Sequence, residues 1–133
     1  MKKLIVSLVI ALLMVYHASA QNAIAPKDAL KHIGEIVMVT GKVFSGKLIA
    51  SNNMTLLDIN GYNPNQDLTI VINSTDRPKF KGKPEDDFKG KEINVTGKII
   101  AYKGKAEIII NDPGQIKIVM TDNIVPVPLM SKP

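Results

Sequence analysis

Two segments of this chain place a glycine in the middle of a β-branched run. Residues 35–47 read EIVMVTGKVFSGK and residues 92–105 read EINVTGKIIAYKGK. The cores of the two, Val39-Thr40-Gly41-Lys42-Val43 and Val95-Thr96-Gly97-Lys98-Ile99, are nearly the same pattern. Val, Ile and Thr favour the pleated conformation, and a lone Gly inside a strand marks a bulge or a sharp bend. Two long strands bent at mid-length predict a small, strongly curled barrel, with the bend of the first supplied by Gly41.

The remaining elements follow from alternation and punctuation. Pro26 to Gly34 reads as a short helix, with Pro26 in its first turn, Leu30 and Ile33 on one face and Gly34 as its stop. A first strand is expected from Glu35 to Ala50, with a second bend at Ser45-Gly46, and a turn over Ser51-Asn52-Asn53. Strands follow over Met54–Asn60 and Asp67–Asn73, with Leu57, Ile59, Leu68, Ile70 and Ile72 turned inward. Residues 75–90 break the β pattern with two prolines and two phenylalanines. There Pro84 to Phe88 makes one or two helical turns, while Phe80 and Phe88 plug the barrel end. Strands four and five run from Lys91 to Tyr102 and from Ala106 to Asn111, joined by the tight turn Lys103-Gly104-Lys105. Gln115 to Met120 offers a last short strand. The fold class is therefore all-β: a five-stranded Greek-key barrel of OB type, with a short N-terminal helix and a short helical crossover between strands three and four.

The chain's ends have a different character. Met1-Lys2-Lys3, the apolar run Leu4–Tyr16 and the small residues Ala18-Ser19-Ala20 have the form of a cleavable signal peptide over residues 1–20. The apolar run is short for a membrane span, which needs about 20 residues. Hence no stable membrane insertion is expected after cleavage. The expected organisation is a signal peptide (1–20), one barrel domain (21–120) and a flexible, proline-containing tail (121–133). The chain has no cysteine. That excludes a lipid anchor at the cleavage site, disulfides and thiolate chemistry. The expected location is periplasmic or secreted. Removing Lys2 and Lys3 takes two from the formal net charge of +5, leaving about +3. So mild a basic balance attracts phosphates without specifying nucleic acid.

GEIVMVTGKV (34–43), MTLLDINGY (54–62), LTIVI (68–72) and GKEINVTGKIIAYKGKAEIII (90–110) together resemble the nucleic-acid-binding OB-fold group of the tRNA-anticodon and helicase type. The resemblance covers most of residues 34–118 and carries that group's strand–Gly–strand pattern and its Tyr-Lys-Gly turn, here Tyr102-Lys103-Gly104. The chain looks like one of the short exported bacterial proteins with such a domain. The resemblance implies single-strand binding through the face of strands two and three and the flanking loops. Those positions are Leu56, Asp58, Asn60, Thr69, Val71 and Asn73, with loops Ser51–Asn53 and Tyr102–Lys105. This face departs from the group's pattern: it has no aromatic residue to stack a base, and Asp58 repels phosphate.

Three clusters combine aromatic and basic residues. Tyr102, Lys103 and Lys105 lie in one hairpin, where a ring stacks a base and ammonium groups meet phosphates. Lys42, Phe44, Lys47 and Tyr62 form a second cluster. The densest basic stretch holds Arg77 and Lys79, but Glu85, Asp86 and Asp87 follow and offset it. Against these stand ordinary roles as hairpin, rim and crossover packing. His32 is the only histidine after residue 20 and has no partner at metal-ligand spacing. Asp86 and Asp87 diverge as neighbours on a helix. No phosphate loop, catalytic triad or zinc signature is present. The expectation is a non-enzymatic binding module without cofactor or metal, whose partner is single-stranded DNA or RNA. The alternative is a barrel for a periplasmic protein or oligosaccharide. A barrel for cations or cationic peptides ranks last, because the acids are scattered.

Overall fold

The computed structural model describes residues 22–120. The segments read as a signal peptide (1–20) and a tail (121–133) lie outside the described residues, as does Gln21.

Six strands make one sheet that closes on itself: β1 (Ile36–Ile49), β2 (Met54–Ile59), β3 (Leu68–Ile72), β4 (Glu92–Tyr102), β5 (Lys105–Ile110) and β6 (Ile116–Ile118). Their order is β1-β2-β3-β5-β4-β6, and a β1–β4 pairing closes the ring. β3 and β5 run parallel, and every other strand pair is antiparallel. The result is an OB-like, all-β barrel. Beyond the five strands of the barrel, β6 falls within the last short strand expected over Gln115–Met120 and pairs with β4 from Ile93 to Val95.

Alternation builds the core. Val39 and Val43 of β1, Leu57 and Ile59 of β2, Ile93, Val95 and Ile99 of β4, and Ile108 and Ile110 of β5 are buried with all of β3. Each of the Val, Leu and Ile side chains contributes about 1.5–3 kcal/mol by leaving water. Without disulfides this packing holds the barrel. Phe80 and Phe88 meet edge-on at 6.4 Å and pack against the core, as plugs at the barrel end.

β1 changes partner just after Gly41, and its register irregularity falls three residues beyond that glycine. β1 pairs with β4 from Ile36 to Lys42 and with β2 from Val43 to Ile49, and its register slips between Val43 and Ser45. The extra residue there is Phe44, so the bulge sits at the change of partner, where the strand must twist most. Gly41 and Gly97 meet a packing need. A Cβ on Gly41 would lie 2.7 Å from Ile59 Cγ2, and one on Gly97 2.5 Å from Ile108 Cγ2. Both glycines let opposing inward side chains reach the backbone.

The N-terminal helical piece differs from expectation, whereas the helical crossover falls where expected. Pro26–His32 is a 3-10 helix. Its greater rise per residue suits a short segment tied at both ends: Ile24 bridges to Val39, and the Gly34 amide donates to the Ile99 carbonyl at 2.8 Å. Side chains three apart eclipse in this geometry, so Pro26 and Ala29 face the core while Leu30 and Ile33 face solvent. The crossover between β3 and β4 consists of a 3-10 turn (Arg77–Lys79) and a single turn of helix, α1 (Pro84–Asp87). No helix among the described residues is long and apolar enough to cross a membrane.

Candidate nucleic-acid interface

The outer face of β2, β3 and β5 carries two cross-strand rows. Lys47, Leu56, Val71 and Ile109 are successive partners in one, and Ser45, Asp58, Thr69 and Glu107 in the other. β3 is flanked on both sides, so its outward residues are covered by neighbours: Val71 is 3% and Thr69 6% exposed. The expectation of Val71 and Thr69 as open face residues is thus corrected. Asn60, at φ 55°, turns toward β1, where its side-chain oxygen accepts from the Lys42 amide at 3.1 Å. Asn73 helps to start the crossover through its carbonyl.

Loops raise walls on this floor and form an open groove of about 760 Å³. The β4–β5 hairpin turns through Lys103 (φ 49°) and Gly104 (φ 78°), the left-handed pair of a two-residue turn. It projects Tyr102, 55% exposed, with Lys103 Nζ 5.4 Å from its ring centroid. The β2–β3 loop supplies Tyr62, 64% exposed, whose ring meets Phe44 edge-on at 5.3 Å. The β1 bulge turns Phe44 outward to make that contact. Lys105 Nζ donates to the Pro64 carbonyl, tying the two walls together.

Of the residues expected to bind, Tyr62, Tyr102, Lys47, Lys103 and Lys105 line this groove. Lys42 and Phe44 line a smaller hollow beside it, with Tyr62, Lys89 and Gly90. Arg77 and Lys79 are engaged elsewhere. Arg77 donates to Thr55 Oγ1 at 3.2 Å and to Glu85 Oε1 at 2.6 Å, and Lys79 to Asp76 Oδ1 and the Asn111 carbonyl, each at 2.9 Å. Both hold the crossover to the barrel. The flat β2–β3 face lacks an aromatic, but the groove does not, because the β2–β3 loop and the end of β4 deliver tyrosines to its edges.

Residues unmarked by motif complete the groove: Ser45, Gln66 and Glu107. Glu107 was legible in principle, since β5 alternates and its outward positions are Lys105, Glu107 and Ile109. Placing it beside Thr69 required the parallel β3–β5 pairing. Burial against that floor pushes the Glu107 carboxyl above its ordinary value. Among the described residues no three His, Cys, Asp or Glu side chains gather as a metal site would require.

Among solved structures, the chain is similar to the crystal structure of a protein described as an aspartyl-tRNA synthetase, from Leishmania major Friedlin. The TM-score is 0.50 and the identity 10%, over 86% of this chain and 26% of that one. The chain thus spans about a quarter of that protein's length, and at this identity the likeness is one of fold. No family model and no curated protein sequence matches the chain.

Proposed function

We propose that this chain is an exported, non-catalytic OB-fold module that binds single-stranded nucleic acid in the groove over β2, β3 and β5. One observation carries the reading: Tyr62 and Tyr102 converge with Lys47, Lys103 and Lys105 around a single open groove. Exposed rings provide stacking platforms, and the lysines lie at the rim, where a sugar–phosphate backbone would run. The likeness in fold to a protein named as a tRNA synthetase points the same way. Export rests on the N-terminal sequence.

The test is fluorescence anisotropy of a labelled single-stranded 15-mer with the purified protein. Three rim lysines predict a log–log salt slope of roughly −2. Affinity then falls about 16-fold between 50 and 200 mM salt. Tyr102→Ala combined with Lys103→Ala weakens binding by about 1–3 kcal/mol, the worth of one stacked base. Absence of binding at low salt overturns the reading.

The carboxylates of Asp58 and Glu107 on the floor favour a second reading, an oligosaccharide groove, because sugar hydroxyls donate to carboxylates and sugar faces pack on tyrosines. Salt separates the two: binding of a neutral hexasaccharide is insensitive to it.

A further inference from the structure

The groove presents donors at its rim and acceptors on its floor. Ser45, Asp58, Thr69 and Glu107 cross the strands in one row, and the row's hydroxyl protons are already used. Ser45 Oγ donates to Asp58 Oδ2 at 2.8 Å, and Thr69 Oγ1 points its proton at Asp58 Oδ1, 3.5 Å away. Gln66 Nε2 donates to Thr69 Oγ1 at 3.1 Å, leaving Gln66 Oε1 buried and without a partner. The capacity that remains lies in the Glu107 carboxylate, the free lone pairs of Asp58, Gln66 Oε1 and the second Nε2–H of Gln66. Acceptors outnumber that one donor several-fold.

We infer that this floor reads the bases of the bound strand and selects those with an exocyclic amino group over thymine and uracil. The inference rests on the groove being the single-strand site. Cytosine presents an N4 amino donor where thymine presents the O4 carbonyl, and carboxylates accept from that amino group. A carbonyl set against these carboxylates leaves two lone pairs facing each other with no proton between them, both having lost water, and the N3–H of thymine satisfies only one acceptor of the row. Asp58 and Glu107 are two strands apart, about 10 Å between backbones, which admits the edge of one base. Tyr62 and Tyr102 hold the ring, and the lysines hold the phosphates outside the acidic row.

The experiment compares dC15 with dT15, two pyrimidine strands of equal charge, by anisotropy at pH 7.5 and low salt. The native protein binds dC15 about tenfold more tightly. Glu107→Gln, whose amide both donates and accepts, brings that ratio toward one. Loss of a negative charge alone would strengthen both strands equally and leave the ratio unmoved. Equal affinity in the native protein, or a ratio unchanged in Glu107→Gln, overturns the base-reading floor and leaves the single-strand site standing. Failure of both strands to bind overturns the site and the floor together.

Discussion

Gly46→Ala lowers the stability of this barrel by about 3 kcal/mol or more, at the upper end of overpacking costs. In a domain of this size the melting temperature drops by roughly 10 °C or more. A Cβ on Gly46 would collide with the Glu85 carbonyl oxygen and would lie 2.7 Å from its carbonyl carbon and 2.8 Å from its Cα. These are backbone atoms of α1, so no rotamer change relieves the clash. Either α1 lifts off β1 or the strand shifts out of register with β2. Gly41→Ala and Gly97→Ala meet chiefly side-chain atoms, Ile59 and Pro26 in one case and Ile108 in the other, which give way more easily. Urea denaturation of the three variants checks the order. A Gly46→Ala protein that unfolds at the parent's midpoint would show that α1 is not seated against this strand.

Arg77→Ala costs about 3 kcal/mol, for an electrostatic reason. Glu85 is 8% exposed, and Arg77 Nη2 is the partner of its Oε1, while Oε2 has none. Removing the guanidinium leaves a carboxylate buried without a counter-charge and takes a donor from Thr55, which is fully buried. Arg77→Lys restores only part of the loss, because an ammonium group does not reproduce the fork that spans Thr55 and Glu85. At a temperature where the variant stays folded, its affinity for the 15-mer matches the parent's. A large drop in affinity with stability intact would instead return Arg77 to the binding surface.

The sequence carried the barrel more clearly than the groove. Strand positions were legible because inward Val, Leu and Ile alternate with polar residues, and the two Gly-centred runs marked the strands that pair with each other along the β1–β4 seam. The role of those glycines was not legible. A glycine that bends a strand and one that makes room for a methyl group leave the same letter in the same pattern, and only packing tells them apart. The basic stretch at Arg77 and Lys79 misled for a related reason: charge density along the chain says nothing about ion pairing across it, and Glu85 and Asp76 hold both cations.

The groove was half legible. The Tyr102-Lys103-Gly104-Lys105 hairpin declared itself through its turn chemistry. Tyr62 did not pair with it in the sequence, because 39 residues and two strands intervene. The bulge at Phe44 and the closure of β3 against β5 bring the two rings to one groove. Glu107 was hidden by the same topology, since a parallel pairing between distant strands has no local signature.

The most direct test of the groove is a titration of the 15N-labelled protein with the unlabelled 15-mer, followed by backbone amide shifts. A single-strand site over β2, β3 and β5 predicts shifts concentrated at Lys47, Leu56, Tyr62, Gln66, Thr69 and the segment Tyr102–Glu107, with the crossover from Arg77 to Lys83 still. Shifts confined to that basic crossover, or none at saturating strand, would contradict it.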